Sequence, residues 1–467
     1  MTKPLNSEQR DQILALLEQG QDRKTIASSV GVSAGQVSAI AAHRKMGTYT
    51  EKFLRQSPNR QTHKGKLLEI RKPKASSMER RPDGSILIGT DVQSGVPYYW
   101  NPNSREGGAA NPHVLILGES GFGKTYSTSC LLAELVESNI PSIVFDYGQG
   151  FSTTTSTAAF RQYAKPIEFE LSRDGIAINP LEIFPVDLHG PATVAQRIAD
   201  TFARVYPRIG VQQHSVIRQA VLEVLYDAGI KPHDRATWKL RAPHFRNVER
   251  KLADIANEVG APNRRVALAA ASHISTLFVF DTFRSTGHKL SWGDLIGGNE
   301  AHTWILQLGG LESSVERAVT EFMLWNLMRF VEVQGPGPLR CFIVLDEAHK
   351  MSFAADSPVE KLLREGRKFG LGLILASQQP EDFSAVAFAN TATKVVFQVT
   401  DERGAVSRRL AKKAMKGDVG SLPADVITQL PKGIAYVVTE NVGRVVKISS
   451  FEDRVREWSR APHDVSR

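Results

Sequence analysis

The residues Gly118-Glu119-Ser120-Gly121-Phe122-Gly123-Lys124-Thr125 combine glycines, a lysine and a hydroxyl at the spacing of a phosphate-binding loop, G-x-x-x-x-G-K-[ST]. The glycines let the backbone curl so that successive N–H groups point at phosphate oxygens, reinforced by the N-terminus of a following helix. Lys124 is expected to neutralise the β- and γ-phosphates of ATP, and Thr125 to ligate Mg²⁺. About 220 residues later, Cys341-Phe342-Ile343-Val344-Leu345 delivers two adjacent carboxylates, Asp346 and Glu347. Asp346 is expected in the Mg²⁺ shell, and Glu347 beside the water that attacks the terminal phosphorus. An acid pair after an apolar run is common by itself. The phosphate loop gives it meaning.

Two further segments suit the same site. Asp146 closes an apolar run in Val144-Phe145-Asp146-Tyr147-Gly148-Gln149-Gly150, where it either orients the metal shell or holds a turn. Gln378 follows the apolar run 372–377 and is a candidate sensor of the γ-phosphate. Arg367, in Arg364-Glu365-Gly366-Arg367-Lys368-Phe369-Gly370, is either a finger offered to a neighbouring subunit's nucleotide or a basic helix end complementing the helix dipole.

For these side chains to meet, the apolar runs must be strands of one sheet whose C-terminal ends share an edge. Candidate strands are 86–88, 113–117, 142–146, 303–308, 341–345, 372–377, 394–400 and 434–439. Several are apolar nearly throughout, as parallel strands covered on both faces are. A helical pattern over 124–138, with Leu131, Leu132, Leu135 and Val136, links the second strand to the third in a βαβ start. Between about 191 and 284 only helical runs occur, at 192–206, 215–228, 244–259 and 265–277. The expected fold class is therefore α/β, a RecA-like P-loop NTPase sheet over 85–467 with an all-helical insertion at about 191–284.

Upstream the pattern changes. Residues 1–45 are expected to form a small all-α helix-turn-helix domain. Its helices lie near 8–19, near 23–30 and from Ser33 onward, with Gly20 and Gly31 as stops and Ser33 and Gln36 as a capping box. It serves either DNA contact or protein binding. Residues 46–84 form a basic linker ending in the turn signal Arg81-Pro82-Asp83-Gly84. Residues 1–81 hold 16 Lys/Arg against 7 Asp/Glu, a difference equal to the net +9 of the whole chain. Such an arm suits a polyanion, or else acts as a solubilising tail.

A hydrophobic share of 42% over 467 residues excludes wholesale disorder and allows two or three domains. No apolar run approaches a membrane-spanning length, and the first residues lack the apolar core of a secretory signal. Cys130 and Cys341 are distant in sequence and lie in apolar segments, reading as core thiols of a reducing compartment. A cytoplasmic protein without direct membrane insertion is expected.

Four segments together resemble the HerA/FtsK-type ATPases: Gly118 to Thr125, the Asp146-Tyr147-Gly148-Gln149 turn, Leu345-Asp346-Glu347-Ala348-His349, and Gly366-Arg367-Lys368-Phe369-Gly370-Leu371-Gly372 leading to Ala376-Ser377-Gln378-Gln379-Pro380. HerA-like proteins and the conjugative and type IV secretion ATPases are nearest in pattern. The resemblance spans about 85–450. It implies a homo-hexameric ring around DNA, ATP hydrolysis between subunits, and a nuclease or other effector as partner. It also implies Lys124 and Thr125 on phosphate and metal, Glu347 as base, Arg367 as a finger in trans and Gln378 as sensor. Two features depart from that pattern. Fewer than 30 residues, 85–112, precede the loop strand where such proteins usually carry a β-barrel, and Gln149 stands where relatives tend to have Glu.

Three functions remain open on these residues: a DNA translocase or helicase-like motor, a nucleotide-switched DNA-binding regulator, and a soluble motor of a conjugation or secretion system. Asp346-Glu347-Ala348-His349 also suggests a DEAH-type helicase. The helical insertion between the two motifs, and the lack of downstream Ser-Ala-Thr or Gln-Arg-x-Gly-Arg segments, argue against it.

Overall fold

The computed structural model describes residues 7–19, 21–45, 84–103, 110–176, 178–260, 262–284, 291–400, 427–439 and 442–459. The chain divides into two compact units, Met1–Glu69 and Ile70–Arg467. Nearly all of the expected linker lies outside the described residues.

In the first unit, α1 (Ser7–Glu18), α2 (Arg23–Val30) and α3 (Ala34–Lys45) bury Ile13, Ile26, Ala27, Val37 and Ile40 against one another. Asp22 caps α2 by accepting from the Thr25 N–H at 3.2 Å, and Gly31 ends it at φ 70°. Before α3, Ser33 N–H donates to Gln36 Oε1 at 2.9 Å while Gln36 N–H donates to Ser33 Oγ at 3.3 Å. That reciprocal pair satisfies two N–H groups the helix leaves open.

In the second unit the described residues form an eleven-stranded sheet of order β2-β1-β11-β10-β9-β3-β8-β7-β4-β6-β5. The strands are β1 Ile86–Asp91, β2 Pro97–Trp100, β3 Val114–Leu117, β4 Ser142–Asp146, β5 Pro166–Glu170, β6 Thr303–Gln307, β7 Cys341–Leu345, β8 Leu371–Ser377, β9 Thr393–Val396, β10 Ile434–Thr439 and β11 Val442–Ile448. From β9 to β5 all neighbours are parallel; from β9 through β10, β11, β1 and β2 they are antiparallel. The parallel strands explain the apolar runs, because both faces are covered. Leu115 and Leu117 enter one core, Val114 and Ile116 the other.

One face is covered by α4 (Lys124–Glu137) and, after the antiparallel flank, by the C-terminal helix Phe451–Trp458. The other is covered by the segment between β5 and β7. Its helices α5 (Pro191–Val205), α6 (Val211–Asp227), α7 (Asn247–Asn257) and α8 (Arg264–Val279) share one continuous core with α9 (Ser313–Gln334) and the sheet. Phe202 on α5 meets Phe322 on α9 edge-on at 5.5 Å, and Phe245 reaches the same ring at 5.3 Å. The insertion is thus part of the domain's packing.

The expected strand 394–400 stops at Val396. Beyond it the backbone leaves the sheet ladder to follow the phosphate loop, with Phe397 N–H donating to Leu117 O and Glu119 N–H donating to Gln398 O, both at 2.8 Å. The strands β2, β5 and β11 were not apparent as apolar runs. β11 alternates exposed and buried residues, and β5 is half-buried throughout.

Candidate nucleotide site

The loop follows β3, and two of its glycines are required by its shape. A Cβ on Gly118 would come within 2.6 Å of Phe397 Cβ, and Gly123 turns at φ 118° immediately before α4 begins at Lys124. Lys124 Nζ donates to the carbonyls of Gly118 at 2.6 Å and Glu119 at 3.1 Å, which holds the ammonium across the loop. Burial pushes its pKa down against the pull of Asp346, Glu347 and Glu119. The side chains of Glu119 and Phe122 are used elsewhere: Thr400 Oγ1 donates to Glu119 Oε1, and Phe122 packs on the α4-side core.

Strand order brings the distant motifs to this loop. β8 lies between β3 and β7, with Leu117 opposite Ser377 and Leu345 opposite Leu375. Ser120, Gly121, Gly123, Lys124, Thr125, Asp346, Glu347 and Gln378 consequently line one cleft of about 320 Å³. Tyr126, Ser377 and Lys432 line it too, although their sequence context had not singled them out. Lys432 arrives because Gly433 N–H donates to Phe122 O at 3.1 Å. The turn Pro431-Lys432-Gly433 before the apolar run of β10 was the available signal, without any indication of where that run would pair.

Asp346 has its pKa raised to about 7, first by burial, then by the neighbouring charges of Asp146 and Glu347, with Lys124 opposing. Thr125 stands close by, since a Cβ on Gly150 would sit 3.3 Å from Thr125 Cγ2 and 3.8 Å from Asp346 Oδ2. A hydroxyl and a desolvated carboxylate with raised proton affinity fit a divalent cation, because a cation relieves the repulsion that raises the pKa. Among the described residues no group of three acidic, histidine or cysteine ligands occurs. Thr125, Asp346 and substrate phosphates suit Mg²⁺, which commonly keeps few protein ligands.

Glu347 adopts φ 68°, a left-handed conformation uncommon for a non-glycine residue and costing on the order of 1–3 kcal/mol. Its carboxylate stands 3.3 Å from His349 Nδ1, which is also 3.3 Å from Ser377 Oγ. Ser377 in turn donates to Asp382.

The other expected residues are placed differently. Asp146 is buried and its carboxylate accepts from the N–H groups of Gly148 and Gly150 at 3.1 Å and Phe151 at 2.9 Å, and from Gln307 Nε2 at 3.2 Å. It holds the turn after β4 and bears on the site through its charge. Arg367 lies before the first residue of β8, at the strand end opposite Gln378. Its guanidinium donates to the carbonyl of Ala110, which precedes β3. Seven strand residues at about 3.3 Å each put it roughly 20 Å from its own cleft.

Residues 92–327 match the family model described as the central domain of helicase HerA. The chain is 21% identical over 402 residues to a DNA double-strand break repair helicase HerA of Sulfolobus acidocaldarius, covering 81% of this chain and 72% of that protein. Its fold is similar to VirB4 of Thermoanaerobacter pseudethanolicus, with a TM-score of 0.62 and 17% identity over 79% of this chain and 98% of that one. It is also similar to the bacterial conjugative coupling protein TrwB in its unbound monoclinic form, with a TM-score of 0.54 and 15% identity over 79% and 90%.

Proposed function

The chain belongs to the family of the helicase HerA central domain, and from that premise we propose that it is an ATP-driven motor that moves along DNA as a ring of like subunits. The observation that carries this reading is the distance between Arg367 and its own cleft. A cation at the far end of β8 serves a nucleotide only if a second copy presents its cleft to it, and head-to-tail closure does this for every subunit at once. A homo-hexamer is the ring we favour, with a nuclease or other effector as partner.

In the reaction, the amides of the loop and Lys124 hold the phosphates of ATP, and Thr125 and Asp346 hold Mg²⁺. When bound, that cation supplies positive charge at the phosphate oxygens. Glu347 accepts the proton of the attacking water, and Gln378 hydrogen-bonds the terminal phosphate from the tip of β8. Arg367 of the adjoining copy meets the charge that develops on the transferred group.

ATP turnover measured with and without duplex DNA over a range of salt tests the reading. Stimulation by duplex is expected, and its absence at every salt concentration would sink the motor. The N-terminal helices, with Ser33, Ala34 and Gly35 exposed around the start of α3, favour a second reading, a nucleotide-switched regulator that reads DNA with α3. A footprint at one defined sequence, unchanged by continuing hydrolysis, would select it; displacement of DNA-bound roadblocks would select the motor.

A further inference from the structure

The helical insertion has a charge excess that the balance of the whole domain conceals. Residues 191–284 hold 14 Lys/Arg and 8 Asp/Glu. The excess concentrates in the connection between α6 and α7, where residues 231–244 contain Lys231, Arg235, Lys239 and Arg241 with a single acid, Asp234. All four cations are exposed. Asp234 is already engaged as a cap, its carboxylate accepting from the Ala236 N–H at 3.1 Å.

Elsewhere on the insertion, several basic side chains are paired with carboxylates. Arg197 meets Asp187 at 2.8 Å, Arg204 meets Glu321 at 2.9 Å and Lys251 meets Asp227 at 2.6 Å. No ion pair with a described carboxylate engages Lys231, Arg235, Lys239 or Arg241. The segment that carries them is nonetheless firmly built. Trp238 Nε1 donates to Lys231 O at 2.9 Å, Lys231 N–H donates to Thr237 Oγ1 at 2.9 Å, and the Arg235 guanidinium lies over the indole at 5.5 Å. The backbone of Gly190 packs so closely beneath the same ring that a Cβ there would be 2.4 Å from it. Lys239 and Arg241 continue onward, lining a cleft of about 710 Å³ together with Trp238 and His244.

Four uncompensated cations on an ordered turn repel one another, and the relief available to them is a partner with regularly spaced negative charge. We infer that this connection is a contact surface for the phosphate backbone of DNA. It holds the duplex without reading sequence, because lysine and arginine ends reach phosphates and nothing in the turn is shaped for base edges. The inference rests on the reading of the chain as a DNA motor. Because the turn is already ordered, binding loses little backbone freedom.

The test uses the full-length chain with Lys231→Gln, Lys239→Gln and Arg241→Gln combined, leaving Arg235 on its indole. Binding of a labelled duplex is followed across a salt series, with DNA-independent ATP turnover as the check on folding. Each lost phosphate contact removes about 0.9 from the salt slope, so the triple variant is expected to bind more weakly with a slope lower by about 2 to 3. Equal affinity and slope in wild type and variant would overturn the inference while leaving the motor intact. Failure of the wild type itself to bind duplex at any salt would instead remove the motor reading. A photoreactive side chain at the exposed Leu240 separates partners. Cross-linking to the duplex is expected, whereas cross-linking only to another copy of the chain would assign the surface to subunit contact and overturn the inference.

Discussion

Glu347 and His349 meet side chain to side chain, carboxylate oxygen to Nδ1 at 3.3 Å, and the same nitrogen reaches the Ser377 hydroxyl at 3.3 Å. Ser377 gives its proton to Asp382 and therefore accepts from the ring. Nδ1 then carries the hydrogen, facing two acceptors. Glu347 is thereby tied to the tip of β8, where Gln378 lines the cleft.

Glu347→Gln keeps the shape of this side chain and removes its basicity. ATP binding is expected to persist while turnover falls by about 10²- to 10⁴-fold. Equilibrium nucleotide binding beside steady-state turnover checks this, and undiminished turnover would exclude Glu347 as the base.

His349→Ala should lower kcat while leaving KM nearly unchanged, by less than the roughly 10²-fold or greater loss expected for the base itself. His349→Asn retains a donor and should recover part of the rate. Equal defects in both variants would show that the ring matters for packing rather than for orienting Glu347.

On the proposed role of Arg367 as a finger in trans, Arg367→Ala subunits should be inactive, since an arginine finger contributes about 10³- to 10⁵-fold. Mixed with Lys124→Ala subunits, they should regain turnover, because intact clefts then meet intact arginines. Absence of rescue in assembled mixtures would make Arg367 structural.

Asp346 titrates at about 7 in the fold against 3.8 when free. A carboxyl whose pKa rises on folding contributes stability that is full below the lower value and lost as pH climbs through the upper one. The nucleotide-free protein should therefore lose stability from this group between about pH 4 and about pH 7. Denaturation midpoints of wild type and Asp346→Asn across that window isolate the effect, and parallel pH profiles would refute it.

Arg454 and Glu134 form an ion pair at 3.1 Å with both side chains fully buried. Arg454 also donates to the carbonyls of Ser449, Leu87 and Ile88, and Glu134 accepts from Leu87 N–H and Trp458 Nε1. The pair fastens the C-terminal helix to α4 and β1. Glu134→Ala leaves a guanidinium buried without its counter-charge and should cost about 3–5 kcal/mol in chemical denaturation. A change under about 1 kcal/mol would mean that the helix is held by Phe451 and Trp458 alone.

The phosphate loop, the acid pair at the end of β7 and the run that became β8 were legible because each is a local pattern. A strand period, a glycine spacing and a terminal acid are written within a few consecutive residues. Strands β2, β5 and β11 were not, since the half-buried edge strands β2 and β5 and the alternating inner strand β11 lack a continuous apolar signal. The set Lys124, Thr125, Asp346 and Glu347, which the fold gathers in one cleft, was thus picked out by sequence alone, together with the α/β class.

Tertiary structure decided everything that depends on which strands pair. Only the placement of β8 between β3 and β7 brings Gln378 to the cleft and leaves Arg367 at the far end of the same strand. Only the antiparallel return through β10 carries Lys432 to the loop, and only the folded turn after β4 commits the Asp146 carboxylate to backbone N–H groups. Apart from the Asp146 turn, these relationships join residues tens to hundreds of positions apart. Their energy comes from burial and hydrogen bonds made after the chain has closed, and no local periodicity encodes them.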